Sequence, residues 1–288
     1  MSTVPDDVEA RPGSAVSLLR TLVGLYLRDL GGWIATDDLV DLMAVVGVEA
    51  PRTRTALHRV RRRGLLVART RDRPGSVLAP EAEEMLVRGD RRIFADRRMT
   101  DGDPWCLVSF SLPEDSRDVR HRIRRRLQWI GCGTVSAGLW IAPGHLIDEV
   151  DQVFGDLGVR DAATLFLTDT PRVAGDLAGA VADWWDLEAL RAEHTAFLQA
   201  VSEGGVVSEG EAVSDGTDAG RTLSGPDAFG AYVRLVDTWR VIPYVDPGLP
   251  PGVLPADWPG SRSIELFHEL RAGLMGPARA HVCEVTGS

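Results

Sequence analysis

The segment from Glu49 to Arg63 reads EAPRTRTALHRVRRR and constrains this chain more than any other stretch. Pro51 predicts the start of a helix, because a proline at the first helical position loses no hydrogen bond, and Gly64 predicts its end. Helical spacing places small and apolar residues on one face, namely Thr53, Ala56, Leu57 and Val60. The opposite face carries Arg52, Thr55, Arg59 and Arg62. One face therefore packs against the protein, and the other is an arginine ridge that suits a DNA major groove.

Two further helices are predicted upstream: one covers about Ser14–Arg28, and the second is capped by Thr36 or Asp37 and runs to about Val46. Gly47 ends the second of these, and a short turn leads into the arginine-rich helix. This arrangement is typical of a helix-turn-helix motif, whose second helix enters the groove. Two short strands predicted after it form the wing of such a domain, at Leu65–Arg71 and Gly75–Leu78.

The residues that we expect to contact DNA are Arg52, Arg54, Thr55, His58, Arg59, Arg62 and Arg63. A solvated helix surface is the alternative interpretation of the same residues. The net charge of the chain is −10, which by itself argues against a polyanionic partner. However, residues 1–100 carry 17 arginines and 14 acidic residues, a net +3, whereas residues 151–288 carry a net −12. The excess of cations therefore coincides with the motif.

Enzyme signatures are missing from the sequence. It contains no HExxH, GxSxG or P-loop pattern, and no GxGxxG after a strand, so we expect no catalytic residue, cofactor or metal. The scattered cysteines Cys106, Cys132 and Cys283 predict reduced core thiols. The first residues, MSTVPDDVEARPG, lack the apolar core of a signal peptide, and no stretch is apolar enough to span a membrane. We therefore expect a cytoplasmic protein with no membrane partner.

A different pattern begins near Trp105, where WCLVSFSLP (Trp105–Pro113) predicts a strand and Ser116–Gly131 predicts a helix. The predicted elements that follow are the strands Gly133–Ser136 and Gly138–Ala142, a helix over His145–Leu157 and the strand Ala163–Thr168. The order βαββαβ is that of a ferredoxin-like domain. Two helices on one face of an antiparallel sheet would leave the other face free for a partner.

The remainder of the chain predicts helices. One ends near Val201, the next runs from about Asp227 to Val241, and the last covers about Ser263–Leu274. Between the first two, residues 202–225 are acidic and rich in glycine and serine, which predicts a flexible insertion. For Trp184 and Trp185 we favour packing over stacking on a ligand. The predicted fold class is thus α+β, with a winged helix-turn-helix, a central ferredoxin-like domain and a helical C-terminal domain.

Six short motifs resemble those of the PaaX family of bacterial transcriptional repressors, known for controlling phenylacetic acid catabolism. In order, they are RTAL (Arg54–Leu57), RRIF (Arg91–Phe94), FSLPE (Phe110–Glu114), GLWIAP (Gly138–Pro143), WDLEAL (Trp185–Leu190) and DPGLPPGVLPADWPG (Asp246–Gly260). The resemblance covers nearly the whole chain and implies three domains, over residues 1–95, 96–170 and 171–288. It also implies a homodimer that leaves double-stranded operator DNA when it binds an aryl-acyl-CoA such as phenylacetyl-CoA.

Candidate residues for that ligand are arginines that suit phosphates and aromatic groups that suit an aryl end. They are Arg120, Arg124, Tyr232, Trp239 and Arg240. For the arginines, a solvated helix face is the alternative interpretation.

Two other functions are weighed against a repressor. The central domain of the family is similar to small CRISPR-associated nucleases, which hold a divalent metal on an aspartate at the end of the first strand. Here that place falls on Ser111, and Glu114 and Asp115 come two or three residues late, which argues against a metal-dependent nuclease. The other alternative is an adaptor that uses the central domain only to dimerise.

The predicted wing reads PGSVLAP (Pro74–Pro80). This departs from the family's tyrosine-containing pattern, which puts the DNA contacts of the wing in doubt.

Overall fold

The computed structural model of this chain describes residues 10–95, 98–203, 223 and 225–288. It is an α+β structure with two antiparallel sheets. The chain forms two compact units. The central unit comprises the described residues of Arg92–Thr195 and Ile242–Ser261, and the N-terminal unit combines the described residues before Arg92 with those of Ala196–Val241 and Arg262–Ser288. The C-terminal part is thus shared between the units, and the three-domain division stays a prediction.

The N-terminal part of the chain contains four helices and three short strands. They are α1 (Ala15–Tyr26), β1 (Trp33–Ala35), α2 (Thr36–Val45), α3 (Ala50–Arg62), β2 (Leu66–Thr70), β3 (Pro74–Leu78) and α4 (Pro80–Ile93). The Ser14 side chain caps α1 by accepting a hydrogen bond from the Ser17 N–H. Gly47 and Gly64 have φ of +84° and +77°, which end α2 and α3 at the predicted places. The three predicted helices and two predicted strands are present.

Strand β1 and helix α4 were not predicted from the sequence. Strand β1 is only three residues long and pairs with β3, so that the sheet has the order β1-β3-β2. Its register places Trp33 opposite Val77 and Ile34 opposite Ser76. A strand this short lacks the alternating pattern by which strands are recognised.

The central sheet unit has the predicted order of strands and helices. Its elements are β4 (Trp105–Phe110), α5 (Arg117–Trp129), β5 (Gly133–Ser136), β6 (Leu139–Pro143), α6 (Ile147–Asp156) and β7 (Ala163–Thr168). The strands are antiparallel and lie in the order β5-β6-β4-β7. Single turns of 3-10 helix precede α5, α6 and β7. The first two of these turns shorten the two predicted helices at their starts.

The C-terminal helices are α7 (Leu177–Trp184), α8 (Leu187–Glu203), α9 (Gly225–Trp239), α10 (Ile242–Val245) and α11 (Gly260–Thr286). The predicted end of the last helix at Leu274 was wrong, because α11 continues through Pro277 and buries Ala278 and Val282. Packing here overrides the helix-breaking tendency of proline. The predicted insertion at 202–225 lies mostly outside the described residues, although its first two residues complete α8 and its last begins α9.

Both faces of the central sheet are covered, so the predicted free face was wrong. On one face Cys106, Val108 and Trp140 pack against Ile123 and Phe154 of α5 and α6. On the other face the core contains Trp105 and Ile141 of the sheet together with residues that follow it in sequence, namely Val181, Trp185, Leu190, Leu249 and Val253. The Trp185 indole N–H also donates to the Gly131 carbonyl at 2.8 Å, and burial of this tryptophan agrees with the packing role predicted for it.

In the N-terminal unit, α9 and α11 pack with the first helices. The Tyr26 ring of α1 lies 5.8 Å from that of Phe229 on α9, and Trp239 stacks on Phe267 of α11 at 4.4 Å. C-terminal helices therefore complete the core that contains α1 and α2, against which α3 packs. Within the described ranges, no helix combines the length and apolarity needed to cross a membrane.

Candidate nucleic-acid interface

Helix α3 is fixed by the face that was predicted to pack. Thr53, Ala56, Leu57 and Val60 are all buried. The Thr53 hydroxyl also lies within hydrogen-bonding distance of the Val48 and Glu49 carbonyls, at 3.4 and 3.3 Å, and so ties the start of the helix to the turn before it. The opposite face is therefore held outward by packing.

All seven residues predicted to contact DNA are exposed. They are Arg52, Arg54, Thr55, His58, Arg59, Arg62 and Arg63. In the described part of the chain no hydrogen bond or ion pair engages the guanidinium groups of Arg52, Arg54, Arg59 and Arg62. The Thr55 hydroxyl donates to the Pro51 carbonyl at 3.0 Å within the helix. Uncompensated guanidinium groups on one helix face form a site for anionic oxygens.

Arg61 belongs to the same helix but has a different role. One of its terminal nitrogens donates to the Gly75 carbonyl at 3.0 Å and to the Ser76 hydroxyl at 2.8 Å. Burial against strand β3 lowers the pKa of the Arg61 guanidinium below its usual value. Arg61 therefore fastens the hairpin of β2 and β3 to α3.

A cleft of about 1000 Å³ runs along the exposed face of α3. Five of the predicted residues line it, namely Arg52, Thr55, Arg59, Arg62 and Arg63. Arg54 and His58 lie outside it. The facing wall is the start of α1 with the residues before it, including Arg11 and Ser14. Sequence reasoning missed Arg11, because nothing local relates that residue to a helix 40 positions later.

The hairpin adds cations that sequence reasoning also left out. Arg73 at its tip makes a bidentate ion pair with Asp38 of α2, with both distances 2.8 Å. The Arg71 guanidinium lies 5.2 Å from the centre of the Trp33 ring, a cation–π contact. The Trp33 indole N–H donates to the Arg69 carbonyl at 3.1 Å. Strand β1 and helix α2 thus fix the orientation of the hairpin tip.

The residues proposed for an acyl-CoA ligand are not gathered at one cavity. Tyr232, Trp239 and Arg240 are 3%, 4% and 2% exposed, in the packing of α9. Arg240 donates to the Ser17 hydroxyl at 2.7 Å. In the central unit, Arg120 and Arg124 donate to the Leu112 and Ala137 carbonyls, at 2.9 and 3.3 Å. Each of these five side chains is therefore packed against, or hydrogen-bonded to, other residues of the protein.

The position relevant to a nuclease lies directly after β4. Ser111 is exposed there, and its N–H donates to the Ala162 carbonyl at 3.2 Å. Glu114 and Asp115 are exposed in the 3-10 turn that follows. Among the residues whose placement is described, no three His, Cys, Asp or Glu side chains come together in an arrangement that could hold a metal ion.

Comparison with known proteins gives matches along most of the chain. The family model of the PaaX-like protein matches residues 14–77, that of the PaaX protein central Cas2-like domain matches residues 98–178, and that of the PaaX-like protein C-terminal domain matches residues 185–284. The transcriptional repressor PaaX of Escherichia coli strain K12 is 26% identical over 281 residues, covering 96% of this chain and 85% of the relative.

A solved structure also resembles the fold. An uncharacterized protein from Mycobacterium tuberculosis superposes with a TM-score of 0.59 at 19% identity, covering 92% of this chain and 99% of that one. The chain belongs to the PaaX family, as its motifs indicated. That family is one of transcriptional repressors and not of enzymes.

Proposed function

We propose that this chain is a ligand-responsive transcriptional repressor that binds double-stranded operator DNA as a homodimer. The observation that carries the proposal is the exposed arginine face of α3, where Arg52, Arg59 and Arg62 line a cleft without a protein partner among the described residues. In this proposal α1 to α3 and the hairpin form a winged helix-turn-helix, and α3 is the recognition helix.

The chemistry of these groups fits DNA at two levels. An arginine in the major groove donates two hydrogen bonds to a guanine edge, which specifies sequence. Arginines at the margins of the groove pair with phosphates, which positions the protein without reading bases. We assign Arg54 and Arg59 to base contacts, and Arg62, Arg63 and Arg11 to phosphates. The hairpin arginines Arg69 and Arg71 lie on the wing and are assigned to the backbone beside the groove.

The test begins with selection of genomic DNA fragments by the purified full-length chain. We expect enrichment of one palindromic sequence, with half-sites separated by one or two helical turns. Binding of the selected duplex is then measured by fluorescence anisotropy against a scrambled duplex of equal length and composition. Equal affinity for the two duplexes would overturn the proposal of an operator-specific repressor.

The homodimer is supported by an edge of the central sheet. Strand β7 is the last strand in the sheet order, and edge strands offer unpaired backbone groups to another chain. Phe166 and Leu167 on this strand are 54% and 56% exposed. We propose that the βαββαβ sheet is a ferredoxin-like dimerisation domain and that β7 lies in its interface. A twofold dimer matches the symmetry of a palindromic operator.

The effector that we propose is an aryl-acyl-CoA such as phenylacetyl-CoA. To change the operator-competent population from 99:1 to 1:99, the ligand must prefer the other state by about 10⁴-fold, or ~5.5 kcal/mol. The test is titration of the operator complex with phenylacetyl-CoA, phenylacetate and free CoA. We expect DNA release by the thioester alone. If phenylacetyl-CoA fails and another acyl-CoA releases the DNA, only the effector is wrong; if no thioester binds, this class of effector is ruled out and the α3 interface is unaffected.

A further inference from the structure

Helix α9 is joined to the first helices by a buried polar network. The Asp237 carboxylate accepts hydrogen bonds from the Ser17 and Thr21 hydroxyls, at 2.5 and 2.8 Å, and from the Gly13 N–H at 2.7 Å. Asp237 is 1% exposed, as expected for a carboxylate whose partners compensate its burial. The segment before α1 and α1 itself are therefore held by a residue of the C-terminal part of the chain.

A pocket of about 440 Å³ lies beside this network, within the N-terminal unit. Its walls come from four elements: Leu18 of α1, Val45 of α2, Val201 of α8, and Gly230, Arg234 and Leu235 of α9. Gly230 lies where α9 approaches α2: an added Cβ would be in ordinary van der Waals contact with Val45, at 3.6 Å, and 3.1 Å from Nη1 of Arg234. The volume is in the range of small-molecule sites.

The side chains of the pocket define the chemistry of its occupant. Leu18, Val45 and Leu235 offer an apolar surface, and Arg234 is exposed at its edge. One terminal nitrogen of Arg234 reaches the Val45 carbonyl at 3.5 Å, the outer limit of a hydrogen bond, and no other described residue engages the guanidinium. Arginine has five N–H donors, so most remain available to a ligand.

Two carboxylates limit what this pocket accepts, and one of them is Asp237 of the buried network. Asp227 also lines it, seven residues before Arg234 on the same helix face, and is exposed. Asp227 disfavours groups with several negative charges. The occupant is therefore an apolar group with a single anionic or hydrogen-bond-accepting oxygen group.

We propose that this pocket is the effector site and that it binds the apolar acyl or aryl part of an organic acid derivative, with its carboxylate or thioester oxygen on Arg234. The inference rests on the proposed function and locates its ligand. A free acid and a thioester share this chemistry. In the thioester, the remainder of the molecule extends out of the pocket past Arg234.

The position of the pocket explains how a ligand would affect DNA binding. Gly13 and Leu18 line both this pocket and the arginine cleft along α3. Val45 is the last residue of α2, and α3 begins at Ala50. A ligand between α9 and α2 therefore acts on both the facing wall of the cleft and the turn that positions α3. Such a ligand shifts the equilibrium only through a different affinity for the two arrangements.

The experiment uses the full-length chain and two pocket variants. Ala200→Trp places a bulky ring on an exposed lining residue of α8, and Arg234→Gln removes the cation. The matched controls are Ala192→Trp, at an exposed site two turns earlier on α8, and Arg262→Gln on the exposed surface of α11. Binding of anilinonaphthalene sulfonate, a fluorescent aromatic monoanion, is measured without DNA, followed by its displacement with phenylacetate and with phenylacetyl-CoA.

We expect both pocket variants to bind the probe at least tenfold more weakly than the wild type, and both controls to bind it normally. If phenylacetate displaces the probe, a free acid is sufficient for binding. If only phenylacetyl-CoA displaces the probe, the site requires the thioester. Either result supports the site. Equal probe binding by all five proteins, or displacement by neither compound, would overturn it. Because no DNA is present, loss of operator binding in a separate assay would count against the proposed function and not against the pocket.

Discussion

At the scale of single residues, the buried ion pair of Asp237 and Arg240 shows how charge is used inside this protein. Both side chains are nearly inaccessible, at 1% and 2%, and Arg240 Nε lies 3.3 Å from the Asp237 carboxylate. Removing one partner of such a pair leaves the other charge buried and uncompensated. These residues therefore stabilise the attachment of α9 to α1, and a ligand on Arg240 would have to break that attachment.

Replacing Asp237 with Asn should accordingly destabilise the N-terminal unit. We expect a loss of about 3–5 kcal/mol in the free energy of unfolding, because the Arg240 charge loses its partner. Urea unfolding measures this effect. The matched control is Asp227→Asn, on the exposed surface of the same helix. If both variants unfold at the same urea concentration, the network does not stabilise the fold as described.

The cysteines give a second test at the same scale. Burial raises the pKa of Cys106 to about 11 and raises that of Cys132 further, whereas Cys283 is partly exposed. The thiolate is the reactive form, so at neutral pH the two buried residues stay protonated and unreactive. We expect iodoacetamide to label Cys283 first in the native protein and the other two only after unfolding. Mass spectrometry of the peptides would detect the opposite order.

At the scale of elements, the hairpin depends on a close approach at Gly75. A Cβ added there would lie 2.6 Å from both the Ile34 carbonyl oxygen and the Trp33 indole nitrogen. Gly75→Ala should therefore separate β1 from β3 and cost about 1–3 kcal/mol of stability. The control is Gly102→Ala, where an added Cβ meets no atom within 4 Å. Thermal unfolding distinguishes the two, and an unchanged midpoint in Gly75→Ala would show that the sheet adapts without strain.

Local signals were sufficient to predict α1, α2 and α3. A proline near the start of α3 and glycines after α2 and α3 each act within a few residues, and the apolar spacing gave the buried face. The cap predicted at Thr36 or Asp37 was wrong, because the cap position of α2 is Ala35, whose side chain makes no hydrogen bond. By contrast, β1 is defined by its pairing with β3, and the end of α11 by packing beyond Pro277. Those features depend on tertiary contacts that no local pattern reports.

The two candidate sites also differ in whether a local sequence pattern predicts them. The exposed arginines of α3 follow from helical periodicity, and the sequence placed them on one face. The pocket beside α9 could not be predicted, since its walls join Leu18 to Leu235 across more than 200 positions. Arg240 was interpreted as a ligand cation, although Asp237 one helical turn away on α9 was a local signal of an internal pair.

At the scale of the whole molecule, the operator recognition that we propose depends on the proposed homodimer. Replacing Phe166 and Leu167 together with Glu should place like charges across the β7 edge and separate the subunits. Light scattering during size-exclusion chromatography would then report a monomer. The control is Val87→Glu, at another exposed apolar residue, on α4. A dimer that survives the double change locates the interface on another surface.

The most direct measurement of the central claim is the affinity of single arginine variants for the selected operator duplex. Arg59→Ala and Arg54→Ala should each weaken binding by about 1–3 kcal/mol, because each removes a proposed bidentate base contact. Arg88→Ala, at an exposed arginine of α4, should bind like the wild type. Fluorescence anisotropy gives the affinities, and circular dichroism verifies the fold. Wild-type affinity in both α3 variants, with the fold intact, would contradict the assignment of α3 as the recognition helix.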